Sequence, residues 1–88
     1  MKLVWARTAW EDYLFWQTAD TNALQRINEL IEECCRHPFT GTGKPEALKE
    51  TLRGWWSRRV TVEHRLVYRV SGKPPDQTLE IAQCRFHY

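Results

Sequence analysis

The stretch GWWSRRVTVEHRLVYRV, residues 54–70, contains two runs rich in aromatic and β-branched residues, Trp55–Val60 and His64–Val70. Residues of these types favour strands, and the polar separator between the runs is short enough for a hairpin connection. A third such run, Leu79–Phe86, follows the segment Ser71–Thr78, which contains glycine and two prolines. The second half of the chain therefore predicts a meander of three antiparallel strands.

The first half of the chain has helical periodicity. It opens with a short predicted strand, Lys2–Ala6. Thr8 and Glu11 then have the spacing of a capping box, which predicts the start of a first helix. Asp20 or Thr21 is expected to cap a second helix, whose apolar residues recur every three or four positions.

Pro38 ends the second helix, because proline has no amide donor and disfavours helix at the residue before it. The glycine-containing loop Phe39–Pro45 follows, and then a predicted turn of helix, Glu46–Lys49. The order of elements predicts a single α+β domain over residues 1–88. Two N-terminal helices are expected to pack on one face of an antiparallel sheet of about four strands, leaving the other face open.

The length and composition favour a soluble protein. A chain of 88 residues is too short for two cores, and it has no apolar run near the roughly 18 residues of a membrane span. No signal-peptide pattern precedes the first predicted strand. The three cysteines, Cys34, Cys35 and Cys84, cannot all pair and lack metal-ligand spacing. We expect small buried residues in a reducing cytoplasm, with neither a metal site nor a cofactor.

The net charge of +2 conceals an uneven distribution. Residues 1–37 have four basic and six acidic side chains, whereas residues 38–88 have nine basic and five acidic ones. This asymmetry favours an anionic partner on the second half. A surface of solvated arginines without a ligand would give the same count.

Several polar residues of the second half could form a site for phosphodiester cleavage. Attack by the 2′-hydroxyl of RNA requires a base, cations that stabilise the phosphorane and an acid for the leaving oxygen. We predict Glu46 as the base, His87 as the acid and Arg65 as the phosphate clamp, with Tyr88 orienting a phosphate oxygen or the acid. The cationic residues expected beside them are Lys49, Arg58, Arg59 and Arg85.

Each of these residues also has an ordinary structural interpretation. Glu46 could be a favourable residue in the first turn of a helix. Arg65 could form a surface ion pair, and His87 could simply be exposed.

Five segments resemble the YoeB subgroup of the RelE-like toxins: KLVW at 2–5, INELIEECCRHPF at 27–39, GKPEALK at 43–49, GWWSRRVTVEHRLVYRV at 54–70 and CRFHY at 84–88. The succession of WSRRV, EHRLVY and a terminal HY is the most specific part of the resemblance.

The resemblance implies a toxin of a type II toxin–antitoxin pair, with a fold like that of microbial ribonucleases, that cleaves mRNA in the A site of the 70S ribosome. It implies Glu46 as general base, His87 as general acid and Arg65 as phosphate stabiliser, with Lys49 and Tyr88 in support. The implied partners are a YefM-like antitoxin and, through the antitoxin, operator DNA. The resemblance also allows a homodimer.

Some positions depart from the family pattern. Ala47 replaces a usual proline, Glu50 is acidic, Phe86 lacks a hydroxyl, and the hairpin loop 71–78 is longer. Two other hypotheses stay open, and Glu50 and Phe86 support the first of them. One is an inactive toxin-like module that acts with its antitoxin in transcriptional repression, and the other is a nuclease that does not need the ribosome.

Overall fold

A computed structural model describes residues 1–88 as two helices and one five-stranded sheet. The elements in chain order are β1 Lys2–Trp5, α1 Arg7–Ala19, α2 Thr21–Arg36, β2 Glu46–Ala47, a short 3₁₀ helix Glu50–Leu52, β3 Trp56–Arg59, β4 Arg65–Ser71 and β5 Thr78–Gln83. The predicted α+β class, with two N-terminal helices and a later meander, is confirmed. Neither helix has the length and apolar character needed to cross a membrane.

The strands lie in the order β1-β5-β4-β3-β2. The meander of β3, β4 and β5 is antiparallel, as predicted. However, β1 joins the edge of the sheet parallel to β5, with Lys2 opposite Thr78 and Trp5 opposite Ile81. The sheet is therefore mixed and has one strand more than expected. The helical pair between β1 and the meander provides the long connection that a parallel pairing requires.

The two helices begin in different ways. The Asp20 side chain accepts hydrogen bonds from the amides of Asn22 and Ala23, which confirms the predicted cap of α2. The predicted capping box at Thr8 is wrong, because the cap of α1 is Ala6, two residues earlier, and it makes no side-chain hydrogen bond. The Ala6 amide is already paired with the sheet through the Ile81 carbonyl, so the chain passes directly from β1 into the helix.

The two faces of the sheet have different surroundings. Side chains alternate along a strand, so Leu66 and Tyr68 of β4 project to one face and Arg65 and Val67 to the other. Leu66 and Tyr68 belong to the main core, and its members from the helices are Ala9, Trp16, Ala23, Ile27, Leu30, Ile31 and Cys34. The helices thus cover the face of Leu66. The helices do not cover the face of Arg65, although Arg65, Ser57 and Val67 are themselves buried there, and we call it the open face.

The predicted turn of helix over Glu46–Lys49 is wrong. Glu46 and Ala47 instead form β2, which pairs with the edge of β3, and the 3₁₀ helix begins only at Glu50. The free edge of β3 supplies the hydrogen-bonding partner that this short segment cannot provide for itself. The change places Glu46 in a defined register on the sheet.

Candidate active site

Glu46 starts a row of residues that crosses three strands on the open face. It lies opposite Ser57 of β3, which in turn lies opposite Val67 of β4. Residues directly opposite each other have Cβ atoms about 4.5–5.5 Å apart on the same face. The Glu46 side chain is exposed and forms no ion pair within the protein, including with Lys49. Its carboxylate is therefore free to accept a proton from a bound molecule.

The guanidinium of Arg65 is held at one nitrogen and open at the other two. Nη1 donates to the carbonyl oxygens of Thr61, Val62 and His64, at 2.8, 3.0 and 3.1 Å. Nε and Nη2 have no partner in the protein, and neither is sealed from solvent. These two nitrogens form an edge that matches two oxygens of a phosphate. The turn before β4 therefore presents a preoriented anion clamp.

The sheet brings Glu46 and Arg65 within reach of one phosphodiester. Neighbouring strands are about 4.8 Å apart and residues rise about 3.3 Å along a strand. Glu46 lies two strands from β4, in one row with Ser57 of β3 and Val67 of β4. Arg65 lies two residues before Val67 on β4. Their backbones are therefore about 12 Å apart, and both side chains project from the same face. A phosphate between them can contact both.

The C-terminal segment leaves the sheet earlier than predicted. β5 ends at Gln83, so the expected continuation of the strand to Phe86 is wrong. The Cys84 amide donates to Asp12 Oδ2 at 3.1 Å, and the Cys84 carbonyl accepts from Trp16 Nε1 at 2.9 Å. Helix α1 thus takes both backbone groups of this residue. Burial raises the pKa of the Asp12 carboxyl, although the bond from the Cys84 amide acts in the opposite direction.

Phe86 fastens the segment to the beginning of β4. Its amide donates to His64 Nδ1 at 2.7 Å, and its carbonyl accepts from the Arg65 amide at 3.0 Å. Phe86 has φ of +66°, in the left-handed region that residues with a side chain seldom occupy. This conformation redirects the last two residues of the chain.

Tyr88 and His87 lie beside the row that contains Glu46. The phenol oxygen of Tyr88 is 3.3 Å from Ser57 Oγ, and Ser57 is the residue opposite Glu46. The His87 ring is exposed, and its centroid is 4.7 Å from that of Tyr88. The only hydrogen bond of this imidazole within the protein is between Nδ1 and the Tyr88 carbonyl, which leaves Nε2 free.

Two of the predicted cationic residues, Arg59 and Lys49, lie where an anion could reach them, whereas Arg85 packs against Phe15 of α1. Arg59 is exposed and lies directly opposite Arg65, an arrangement of like charges that a bound phosphate would relieve. Lys49 is exposed just after β2. Arg85 stacks its guanidinium between the rings of Phe15 and Phe86, 3.5 and 4.4 Å from their centroids. Its Nε is buried without a partner.

Arg58 is the predicted substrate-binding residue that the structure places elsewhere. It alternates with Arg59 along β3 and therefore projects to the helix-covered face, where it is fully buried. The groups that accept its hydrogen bonds are Glu33 Oε1, the Tyr68 hydroxyl and the carbonyls of His37, Thr40 and Thr42. All its donors are directed into the protein, so Arg58 is not available to a substrate. It instead fixes the loop that leads to β2.

The cysteines have the structural role predicted for them. All three are free, Cys34 and Cys84 are buried, and Cys35 is half-buried. Burial raises the pKa of Cys34 to about 11 and that of Cys84 to about 12, so neither is a reactive thiolate at neutral pH. The chain contains no group of three or more His, Cys, Asp or Glu side chains arranged to hold a metal ion.

Sequence reasoning missed three residues that position the site, namely Asp12, Ser57 and His64. Asp12 shares the buried face of α1 with Ala9 and Trp16, and a carboxylate at such a spacing indicates a specific partner. Ser57 and His64 had no comparable signal, because small polar residues and histidines are common on exposed strands.

Comparisons with known proteins agree over the whole chain. A family model described as a YoeB-like toxin of bacterial type II toxin–antitoxin systems matches residues 5–88. Toxin YoeB of Escherichia coli (strain K12) is 54% identical over 88 residues, which is 100% of both chains. The solved YoeB/ParE toxin from Agrobacterium tumefaciens is 57% identical, with a TM-score of 0.95 and full coverage of both chains.

Two solved structures from Staphylococcus aureus are also similar to this chain. One is a heterotetrameric complex of YoeB-YefM toxin–antitoxin, 40% identical with a TM-score of 0.88. The other is a YoeB dimer, 40% identical with a TM-score of 0.89. In both cases the alignment covers 100% of this chain and 98% of the solved one.

Proposed function

The chain belongs to the YoeB-like toxins of bacterial type II toxin–antitoxin systems, and from this premise we propose that it is an endoribonuclease that cleaves mRNA in the A site of the ribosome. The reaction needs no metal. Glu46, Arg65, His87 and Tyr88 carry it out, and Lys49, Arg59 and Arg85 help to bind the RNA. The site lies on the open face of the sheet.

The proposed chemistry is an attack by the RNA on itself. The Glu46 carboxylate removes the proton of a 2′-hydroxyl, and that oxygen attacks the adjacent phosphorus. The Nε and Nη2 atoms of Arg65 donate to the equatorial oxygens as their charge increases. His87 in its protonated form delivers a proton to the 5′-oxygen as the P–O bond breaks. The products are a 2′,3′-cyclic phosphate and a 5′-hydroxyl end.

The observation that carries the proposal is the return of the chain terminus over the open face. Tyr88 reaches Ser57, the residue opposite Glu46, and Phe86 is bonded to the backbone of Arg65. Three segments far apart in the sequence therefore approach the same part of the sheet, and they carry a free carboxylate, a free guanidinium edge and a free imidazole nitrogen.

The proposed dependence on the ribosome follows from the few features of the site that could bind and align RNA. The net charge is only +2, and the open face has no deep cleft that could align an RNA strand. We expect mRNA on ribosomes with a vacant A site to be cleaved at least about 100-fold faster than the same RNA alone, because positioning by the ribosome replaces an unfavourable ordering step. Mapping of 5′-hydroxyl ends over time measures both rates.

Equal rates on free and ribosome-bound RNA would contradict ribosome dependence and favour the ribosome-independent nuclease. That enzyme would also show a steep fall in activity with salt, because its affinity would come from phosphate contacts alone. Lack of cleavage on both substrates would favour the inactive toxin-like module. Two departures from the family pattern keep this alternative open, namely the acidic and exposed Glu50 next to Lys49 and Phe86, which lacks a hydroxyl.

The hydroxyl of Tyr88 is expected to contribute to catalysis by orienting the site. Tyr88→Phe should lower the cleavage rate about 3- to 10-fold, the effect of losing one ordinary hydrogen bond. Tyr13→Phe is a matched control, since Tyr13 also uses its hydroxyl for one side-chain contact, to Asn28, at a site away from the open face. Single-turnover cleavage on ribosomes measures the effect. A Tyr88→Phe rate equal to that of Tyr13→Phe would remove the phenol from the mechanism.

The family also indicates the partners. We propose that a YefM-like antitoxin binds this toxin in the cytoplasm and that its C-terminal segment covers the open face. The S. aureus complex shows a related toxin with such an antitoxin. Operator DNA would be bound through the antitoxin in that complex. The S. aureus YoeB dimer makes a homodimer the second assembly to test by light scattering.

A further inference from the structure

His64 binds the C-terminal segment at Phe86, the last residue whose backbone is hydrogen-bonded to another element. Helix α1 binds both backbone groups of Cys84, and His64 and Arg65 bind those of Phe86. His87 and Tyr88 come directly after Phe86. The position of the proposed acid therefore depends on how firmly Phe86 is attached to β4.

The attachment of Phe86 has one backbone component and one side-chain component. The Phe86 carbonyl accepts from the Arg65 amide. Among substitutions at position 65, only proline would remove this backbone donor. The Phe86 amide donates to His64 Nδ1 at 2.7 Å, and this bond requires a lone pair on that nitrogen. His64 is thus the side chain that determines whether both backbone groups of Phe86 are held.

The backbone of Phe86 needs this support. Its φ of +66° is unfavourable for a residue with a side chain, and such a conformation persists only when the surroundings impose it. Phe86 is 56% exposed and its ring packs mainly against the Arg85 guanidinium, so packing provides only part of the restraint. The hydrogen bonds to its amide and carbonyl must supply the rest.

The imidazole of His64 is itself fixed. Its ring meets the ring of Trp16 edge to face, with centroids 4.9 Å apart, and Trp16 also binds the Cys84 carbonyl. Acceptance at Nδ1 places the proton of the neutral ring on Nε2. The His64 carbonyl is one of the three that bind Nη1 of Arg65. The same residue therefore contacts the phosphate clamp and the segment that carries the acid.

We propose that His64 is a positioning residue of the nuclease, and that its Nδ1 sets the geometry between His87 and Arg65 by accepting the Phe86 amide. This inference rests on the proposed function for its catalytic consequence. The hydrogen bond itself can be tested without activity.

Two substitutions separate the ring of His64 from its acceptor atom. His64→Phe keeps an aromatic ring beside Trp16 and removes the acceptor. His64→Asn loses the ring and keeps an oxygen near the position of Nδ1. We expect His64→Phe to lower kcat on ribosomes about 10- to 100-fold, the effect of misplacing a catalytic group, with little change in KM. His64→Asn should restore most of the lost rate.

Hydrogen exchange of the Phe86 amide provides the readout that is independent of catalysis. The amide should be protected in the parent and in His64→Asn and unprotected in His64→Phe. A folded His64→Phe protein with the parental kcat and a protected amide would overturn the inference. If His64→Phe does not fold, His64→Asn decides: a protected amide with a rate as low as that of a variant without His87 would also overturn it. Absence of cleavage by the parent would contradict the proposed nuclease function and leave the exchange result as the test of His64.

Discussion

Arg58→Met is expected to reduce the free energy of unfolding by about 3 kcal/mol, because it removes a buried charge while its acceptors remain in place. The guanidinium binds Glu33, the Tyr68 hydroxyl and three loop carbonyls, and its side chain is completely buried. Methionine fills much of the volume and supplies no donor. For a domain of this size the melting temperature should fall by roughly 12–24 °C.

The loop around Arg58 explains why the loss should be large. Glu33 Oε1 accepts from both Arg58 and the amide of Thr42. The Thr42 bond, with help from Arg58, holds the pKa of the Glu33 carboxyl below its usual range. Gly41 lies so close that an added Cβ would be 1.8 Å from that oxygen. Once the arginine is gone, Glu33 keeps the Thr42 amide, but the carbonyls of His37, Thr40 and Thr42 have no other donor in the protein.

Arg59→Met is the matched control for this experiment. Arg59 is the next residue of the same strand but is exposed, so its removal should change stability by no more than about 0.5 kcal/mol. Urea denaturation of both variants measures the difference. At a temperature where both are folded, Arg59→Met should be the one that binds RNA less well. An Arg58→Met protein as stable as the parent would contradict the stabilising role of Arg58 and favour the original prediction that it is a surface cation available to substrate.

The contrast between Arg58 and Arg59 shows what the sequence could and could not predict. Alternation places neighbouring arginines on opposite faces of a strand, but only the packing of the helices determines which face is buried. Composition along β3, β4 and β5 was enough to predict a meander, because strand propensity is local. The parallel pairing of β1 with β5 was not predictable, since it depends on the path of the helical pair.

The site shows the same limit. Glu46, Arg65 and His87 could be proposed from the chemistry that RNA cleavage requires and from the family resemblance. Their convergence depends on the register of Glu46 opposite Ser57 and on the end of β5 at Gln83. Both are set by contacts distant in sequence. The interactions of Cys84 with α1 end the strand there, and no local pattern around residue 84 indicates them.

His87→Gln is expected to lower the rate of mRNA cleavage by about 10²- to 10⁴-fold, the usual contribution of a general acid. Glutamine has a similar reach and can form hydrogen bonds, but it cannot deliver a proton to the leaving 5′-oxygen. The fold should be unaffected, because the imidazole is exposed and bonds only to the carbonyl of its neighbour Tyr88. The melting temperature should therefore stay close to that of the parent.

His37→Gln provides a control with the same chemical change. His37 is also exposed, and its side chain makes no hydrogen bond in the protein, while only its backbone carbonyl accepts from Arg58. Expression of the three proteins without antitoxin should arrest growth for the parent and His37→Gln but not for His87→Gln. Single-turnover cleavage on ribosomes gives the corresponding rates.

The pattern of growth and cleavage distinguishes the toxin from its inactive alternative. If the parent cleaves RNA and His87→Gln cleaves it equally fast, the proton must come from another group, and Tyr88 is the nearest candidate. If the parent and His87→Gln both permit normal growth and neither cuts RNA, the protein acts as a binding partner of its antitoxin. A large rate loss confined to His87→Gln, with an unchanged melting temperature and an unchanged rate for His37→Gln, would support the His87 imidazole as the group that delivers the proton to the leaving 5′-oxygen.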